Sequence, residues 1–405
     1  MHLPSTYEET LALLDSLGMF HMDLGLGRME SALARLDLAM PEAVVQVVGT
    51  NGKGSTACFL AALATAHGKR TGLFTSPHLV DVRERVRLDG AIVSPGLWTE
   101  GVRAVWGACA DLGLTYFELT TVVALWCFAR RAVQVAVLEA GLGGTHDATC
   151  AVPPSLVLMT PVGMDHQNVL GPTLAHIARD KAGALGRCPS LTVPQDPEVL
   201  AIFQEHTEAT PWPVGEIGAF AGGYQTPEGT AIDASWLPGQ PPFQVTNAAL
   251  ALAGWERLAR MMGWPVHRDV CREVVATVRW PGRFHEDGAV VVDGAHNPMG
   301  MAALDHALGD RRFAWGLFQS MQDKVLDMEV LGRLCRRCRR VLVPELPGIG
   351  RAWPAASLAA RLGAEAVPSV AHALGRVGSD SALVWGSLYL VGAYFAARQS
   401  FPKEE

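Results

Sequence analysis

Residues 43–56 read AVVQVVGTNGKGST, a β-branched run that stops at a glycine-rich stretch carrying one lysine and three hydroxyls. Ala43–Gly49 has the character of a buried strand, and the following ACFLAALATA has that of a helix. Between them lie Gly49, Thr50, Asn51, Gly52, Lys53, Gly54, Ser55 and Thr56. Glycines at this junction let backbone N–H groups turn inward and cradle phosphate oxygens at a helix N-terminus, with Lys53 reaching the β- and γ-phosphates. The spacing departs from G-x-x-x-x-G-K-[ST], because Gly54 intervenes before Ser55. All eight residues are expected to bind a nucleotide.

Working outward, the same rhythm recurs. Arg70–Ser76, Gln134–Ala140 and Leu156–Val162 are further apolar runs separated by helical patterns. Such alternation predicts an α/β fold with a mostly parallel sheet covered on both faces, whose ligands gather at the carboxyl ends of its strands. Trp280-Pro281-Gly282-Arg283 interrupts the pattern, and Ala289–Asp293, Phe313–Phe318, Val341–Glu345 and Ala382–Trp385 restart it. Two domains are therefore expected, 1–280 carrying the phosphate loop and a smaller α/β unit over 281–405. Residues 211–242, rich in Gly and Pro, are expected to hold loops and short edge strands.

A chain of 405 residues, 49% hydrophobic and 18% charged, suits a folded protein with large cores. Its formal charge of -7 argues against a general nucleic-acid binder. The N-terminus does not read as a signal peptide, and no apolar run is long enough for a membrane span. Eight scattered cysteines fit a reducing cytoplasm. Cys335-x-x-Cys338 lacks two further ligands and reads as part of an Arg-rich helix rather than a zinc site.

Glu139 ends the run VAVLEAG, which presents its carboxylate at the mouth of the sheet, where an unpaired buried acid would be costly. Magnesium prefers hard oxygen ligands, so Glu139 with Ser76 or Ser55 makes a plausible set. Lys181, read from pattern alone, is a solvated helical lysine. Asn247, before AALALAGWERLARMM, is either an N-cap or a ligand contact.

The ordered set GTNGKGST, Thr75-Ser76-Pro77-His78-Leu79, Glu139-x-Gly141-Leu142-Gly143-Gly144, Asp165-His166, Lys181-Ala182-Gly183, Trp280-Pro281-Gly282-Arg283 and Asp293-Gly294-Ala295-His296-Asn297-Pro298 resembles the folylpolyglutamate synthase and dihydrofolate synthase family of the Mur ligase superfamily. The likeness spans nearly the whole chain. It implies a central domain of the Mur ligase type followed by a Rossmann-like C-terminal domain. It implies ATP and two magnesium ions, the first at Ser76 and Glu139, the second at His166 and a carbamylated Lys181. It places Asn247 at the adenine, Asp293 at the ribose, and Arg283 and His296 near the phosphates. Thr115, Phe117, His146 and Asp147 correspond to the pteridine-binding side, and Lys324 weakly matches a D-K-D segment whose second acid is here Val325. Thr145, His146 and Cys150 depart from the common G-L-G-G-R-L-D-A-T-N.

The implied reaction joins L-glutamate to a folate, and possible acceptors include dihydropteroate, through an acyl phosphate with release of ADP and phosphate. Lys53, Glu139, His166, Lys181 and His296 are the implied catalytic set, in a monomer without nucleic-acid or membrane partners. A muropeptide ligase shares this logic, but the TSPHL and DGAHNP segments count against it. A P-loop switch would bring effector surfaces and arginine fingers that this pattern does not suggest. Against a catalytically silent folate-binding protein stand the intact Lys53, Glu139 and His166.

Overall fold

The computed structural model describes residues 3–399. The first sheet uses eight strands: β1 (Ala43–Val48), β2 (Thr71–Phe74), β3 (Val86–Leu88), β4 (Ala91–Ile92), β5 (Val135–Glu139), β6 (Leu156–Met159), β7 (Ser190–Thr192) and β8 (Val214–Glu216). Their spatial order is β4-β3-β2-β5-β1-β6-β7-β8. All neighbours from β2 to β8 pair in parallel, and β3 and β4 extend the edge antiparallel.

Successive side chains of a strand point to opposite faces, and both faces here are apolar. Val45 and Val47 bury against Leu60 and Leu63 of the helix Lys53–Ala66 and against Leu250 and Trp255 of the helix Pro242–Met262. Val44 faces the opposite layer, with Trp98, Val122 and Phe128 from the helices Pro95–Cys109 and Tyr116–Arg130. The registers Val47↔Glu139 and Val48↔Met159 bring the carboxyl ends of β1, β5 and β6 level.

A meander of β9 (Gly218–Phe220), β10 (Gly223–Gln225) and β11 (Ala231–Asp233) caps the helix Pro242–Met262, so residues 211–242 hold short strands as expected. Glu256 anchors it by accepting the hydroxyls of Thr226 and Thr230.

The second sheet comprises β12 (His285–Asp287), β13 (Val290–Val292), β14 (Phe313–Phe318), β15 (Cys338–Pro344), β16 (Glu365–Val367) and β17 (Ala382–Trp385), ordered β12-β13-β17-β14-β15-β16. Only β12 runs antiparallel. Its faces pack on Leu304, Leu331 and Leu334 on one side and on Leu390, Tyr394 and Phe395 on the other.

Local expectations change in two places. Asn247 is not an N-cap: its helix begins at Pro242, and Asn247 lies buried inside it. This helix is buried over most of its surface, because the sheet's helical layer and the meander both cover it. Cys335 is helical, but Cys338 opens β15, where it pairs with Phe313. Among the described residues no helix is long and apolar enough to cross a membrane.

Candidate active site between the two sheets

The phosphate loop leaves the carboxyl end of β1, and Lys53 starts the following helix. Gly49 and Gly52 have positive φ (146° and 86°), and a Cβ on them would strike Thr160 Oγ1 and Asn247 Oδ1 respectively. Both positions therefore require glycine. Thr50 and Asn51 donate their N–H groups to the Pro161 carbonyl, which ties the loop to the end of β6. The amides at the start of the helix, from Gly52 to Ser55, then face any anion. Lys53 Nζ donates to the carbonyls of Gly49 and Thr50 at 3.2 Å. Burial lowers its pKa, and the nearby Glu139 opposes that shift.

Glu139 closes β5 and is 4% exposed. Its Oε2 accepts the Ser76 N–H at 3.0 Å, and Gly54 packs directly against the carboxylate. Burial raises its pKa, with Lys53 pulling the other way.

Beyond the end of β6 lies a denser cluster. Asp165 Oδ1 accepts from Lys324 Nζ at 2.6 Å, and Oδ2 accepts from Asn297 Nδ2 at 2.9 Å and lies 3.3 Å from His296 Nε2. Burial pushes this carboxyl up, but the hydrogen bond and charge of His296, then Lys324 and His166, outweigh burial and hold it well below the usual range. His166 sits at φ 54°, a backbone conformation that a non-glycine residue rarely adopts. Its Nε2 is 3.3 Å from Lys324 Nζ. Burial first, then the Lys324 charge, depress its pKa to about 3.

Asn297 and Asn51 exchange two side-chain hydrogen bonds at 3.0 and 2.9 Å, clasping the second sheet's loop to the phosphate loop. His296 Nδ1 bonds the Gly294 carbonyl at 2.8 Å. Asp293 directly follows β13 and accepts the N–H groups of Phe284 and Ala295, both at 2.7 Å, which fixes the joint that carries Arg283.

Most of these residues line one cleft of about 610 Å³. From the first sheet it takes Thr50 through Ser55, Ser76, Glu139, Asp165, His166 and Asn247; from the second it takes Arg283, Asp293, His296 and Lys324. Thr115, Phe117, His146 and Asp147 line its far end. Thr115 caps the helix Tyr116–Arg130, and the Phe117 ring covers Gly141. Asp147 is spent on its own loop, accepting from the Leu142 and Thr149 amides. His146 is exposed to the cleft. Lys324 lies at the Asp165–His166 pair rather than at this end.

Gly49, Thr56 and Lys181 lie beneath the cleft rather than in its wall. Lys181 is 4% exposed, and its Nζ donates to the Gly49 carbonyl at 2.8 Å, so the surface position suggested by pattern alone does not hold. Burial, reinforced by the Lys53 charge, lowers its pKa to about 7. Sequence reasoning missed Asn297 as a clasp, and it missed Arg85 and Tyr389, which also line the cleft. Arg85 lies in a charged run, VRERVRL, whose burial nothing in its pattern reveals.

A phosphate loop at the strand ends of one parallel sheet, facing a second α/β sheet across a shared cleft, defines a protein of the Mur ligase fold. No family model matches the sequence. Curated relatives do. The chain is 35% identical over 303 residues to the dihydrofolate synthase/folylpolyglutamate synthase of Escherichia coli, covering 71% of this chain and 69% of that one. It is 30% identical over 386 residues to the folylpolyglutamate synthase of Lacticaseibacillus casei, covering 86% and 88%. The chain belongs to the folylpolyglutamate synthase/dihydrofolate synthase family. Against a probable bifunctional folylpolyglutamate synthase/dihydropteroate synthase of Halobacterium salinarum, 38% identical over 308 residues and 69% of this chain, it spans only 37% of the relative's length. Among solved structures, E. coli FolC in complex with DHPP and ADP superposes with a TM-score of 0.85 at 29% identity, covering 98% of both chains. A bifunctional folylpolyglutamate synthase/dihydrofolate synthase with Mn, AMPPNP and L-glutamate bound gives 0.83 at 28%, again covering 98% of both.

Proposed function

We propose that this chain is an ATP-dependent ligase that joins L-glutamate to the carboxylate of a folate, with dihydropteroate as a further acceptor, and that it divides near residue 280 into two domains that together form the site. The observation that carries the reading is the meeting, in one cleft, of Lys53, Glu139 and the Asp165–His166 pair with Arg283, Asp293 and His296 of the second sheet. The relatives' bound nucleotides, divalent metal and glutamate support it.

Amide formation needs an activated carboxylate, because hydroxide is a poor leaving group. In the proposed sequence a carboxylate oxygen of the acceptor bonds to the γ-phosphorus as the bond to ADP breaks. The amino nitrogen of glutamate then bonds to the acyl carbon, loses a proton and displaces phosphate. Lys53 and the amides after Gly52 hold the phosphates, and Arg283 brings a second cation from across the cleft. Closure of the two sheets excludes water that would hydrolyse the intermediate.

The donor set fits magnesium. Among the described residues no three His, Cys, Asp or Glu side chains form a cage. Magnesium, however, takes one or two protein ligands and completes its shell with phosphate and water. Ser76 and Glu139 would hold one ion and His166 another, and bound magnesium would neutralise charge on the transferring phosphoryl group. Lys181 is proposed to be carbamylated there. Its burial beside Gly49 supports this, because among the described residues it forms no ion pair with a carboxylate, and a carbamate would turn this cation into an oxygen ligand.

The test is the nucleotide product with folate, dihydropteroate or muropeptide, each with and without L-glutamate. ADP and phosphate formed only when a folate or pteroate and glutamate are both present is the expected result. AMP and pyrophosphate, or turnover with muropeptide alone, would overturn the reading.

A further inference from the structure

Glutamate carries two carboxylates into the reaction, neither of which reacts, so a site that selects it needs a cation not already committed. Most cations of the cleft are committed. Lys324 is paired with Asp165 at 2.6 Å and Arg351 with Asp323 at 2.5 Å. Lys53, Arg283 and, more weakly, Arg85 all oppose the raised pKa of Glu139.

Arg85 differs. It lies between β2 and β3, at the end of the short turn Val82–Arg85, and is only 4% exposed, yet it lines the cleft. Its hydrogen-bond partner among the described residues is the His78 ring, whose Nδ1 accepts the Arg85 Nε–H at 3.0 Å. No carboxylate among the described residues forms an ion pair with it. Glu139 and Glu84 act on it only through space, and burying a guanidinium without a directly paired carboxylate is costly. A fold that keeps one there either wastes that free energy or recovers it from a ligand.

The surroundings fix the direction of the fork. The His78 ring, held against the guanidinium by the 3.0 Å contact to its Nδ1, occupies the Nε side of Arg85. The guanidinium carbon lies 5.2 Å over the Tyr116 ring. With Nε engaged and one face stacked, the terminal nitrogens remain as a planar fork suited to bidentate binding of a carboxylate. Pro77 and Tyr116 from the first sheet and Tyr389 from the second line the cleft beside it. Ser76 and Glu139 lie on the side toward the phosphate loop.

We propose that Arg85, aimed by His78 and Tyr116, is the seat for a carboxylate of the incoming glutamate. The inference rests on the ligation reading above and adds a specificity residue to it. An acceptor carboxylate that attacks the γ-phosphorus belongs on the Lys53 and Arg283 side of Glu139. The amine must reach the acyl carbon from elsewhere in the same cleft, which Arg85 lines.

The experiment is steady-state kinetics of the full chain, with KM measured separately for ATP, folate and L-glutamate, in the wild type, Arg85→Gln, Arg85→Lys and His78→Phe. Loss of a charge-assisted bidentate contact should raise the KM for glutamate in Arg85→Gln about 10- to 100-fold, with the other two constants nearly unchanged. Arg85→Lys should recover part of that loss. His78→Phe keeps the charge but frees the fork, so a smaller rise confined to glutamate is expected, and this variant decides the matter if Arg85→Gln does not fold. A rise in the KM for folate instead, or a fall in kcat with all three constants unchanged, would overturn the assignment. Wild-type protein with no glutamate-dependent ADP release would defeat the ligation reading itself, a result distinct from either of those.

Discussion

Replacing Gly392 with alanine adds one methyl group at the seam between the two sheets. Gly392 lies in the helix Leu388–Arg398, and a Cβ there would collide with the backbone carbonyl of Leu79, with the Leu79 carbonyl carbon at 2.9 Å and its Cα at 3.3 Å. Backbone cannot rotate aside as a side chain can, so the helix must shift away from the Ser76–Leu79 segment. That helix opens at Leu388 and Tyr389, which line the cleft, while Ser76 sits beside Glu139. Alanine is the better helix former by about 1 kcal/mol, but overpacking a fitted contact costs about 1–3 kcal/mol, so the net effect is destabilising by up to about 2 kcal/mol. The effect on catalysis should be larger, because a displacement of about 1 Å in a reacting constellation can cost about a hundredfold. Gly375→Ala is the control: it is an exposed helical glycine in Val370–Val377, with nothing within 4 Å of an added Cβ. It should gain a few tenths of a kcal/mol, up to about 1, and leave turnover unchanged. Urea midpoints and kcat for both variants provide the assay. A Gly392→Ala protein as stable and active as the Gly375→Ala protein would refute the packing of the two sheets described here.

Lys53→Ala should reduce turnover at least about a thousandfold at saturating ATP, since charge stabilisation of transferred phosphoryl groups is worth that much, while circular dichroism stays unchanged. Asp165→Asn removes the carboxylate charge that Lys324 and His296 share, and should lower kcat by about a hundredfold or more, measured by phosphate release. His146→Leu should alter the ratio of kcat/KM for dihydropteroate against reduced folate, because His146 is exposed on the cleft wall beside Asp147; an unchanged ratio would make it a bystander.

The strand ends are legible in the sequence because a buried parallel strand announces itself as a β-branched run, and the residue after it must lie at the sheet's mouth. Lys53 and Glu139 follow from that alone. The start of the helix bearing Asn247 is easily misplaced because asparagine is a common cap, while the actual start is marked by Pro242 in the first turn without a side-chain cap. Cys338 reads as helical because RRCRR has no strand pattern. Its strand exists because β14 offers a parallel partner, which is tertiary information. The burial of Lys181 and Arg85 is hidden for the same reason. A charged residue on a short element looks solvated until the neighbouring layers are in place. The Asn51–Asn297 clasp joins residues 246 apart, and no local pattern encodes it.

In the proposed reaction the acceptor's own carboxylate takes up the γ-phosphoryl group before glutamate attacks. The most direct test labels that carboxylate with oxygen-18 and analyses the phosphate released during turnover with ATP and L-glutamate by mass spectrometry. One labelled oxygen should pass into phosphate for each amide formed, with ADP as the nucleotide product and an acceptor one glutamate heavier. Amide formed with unlabelled phosphate, or with AMP and pyrophosphate, would contradict the proposed reaction.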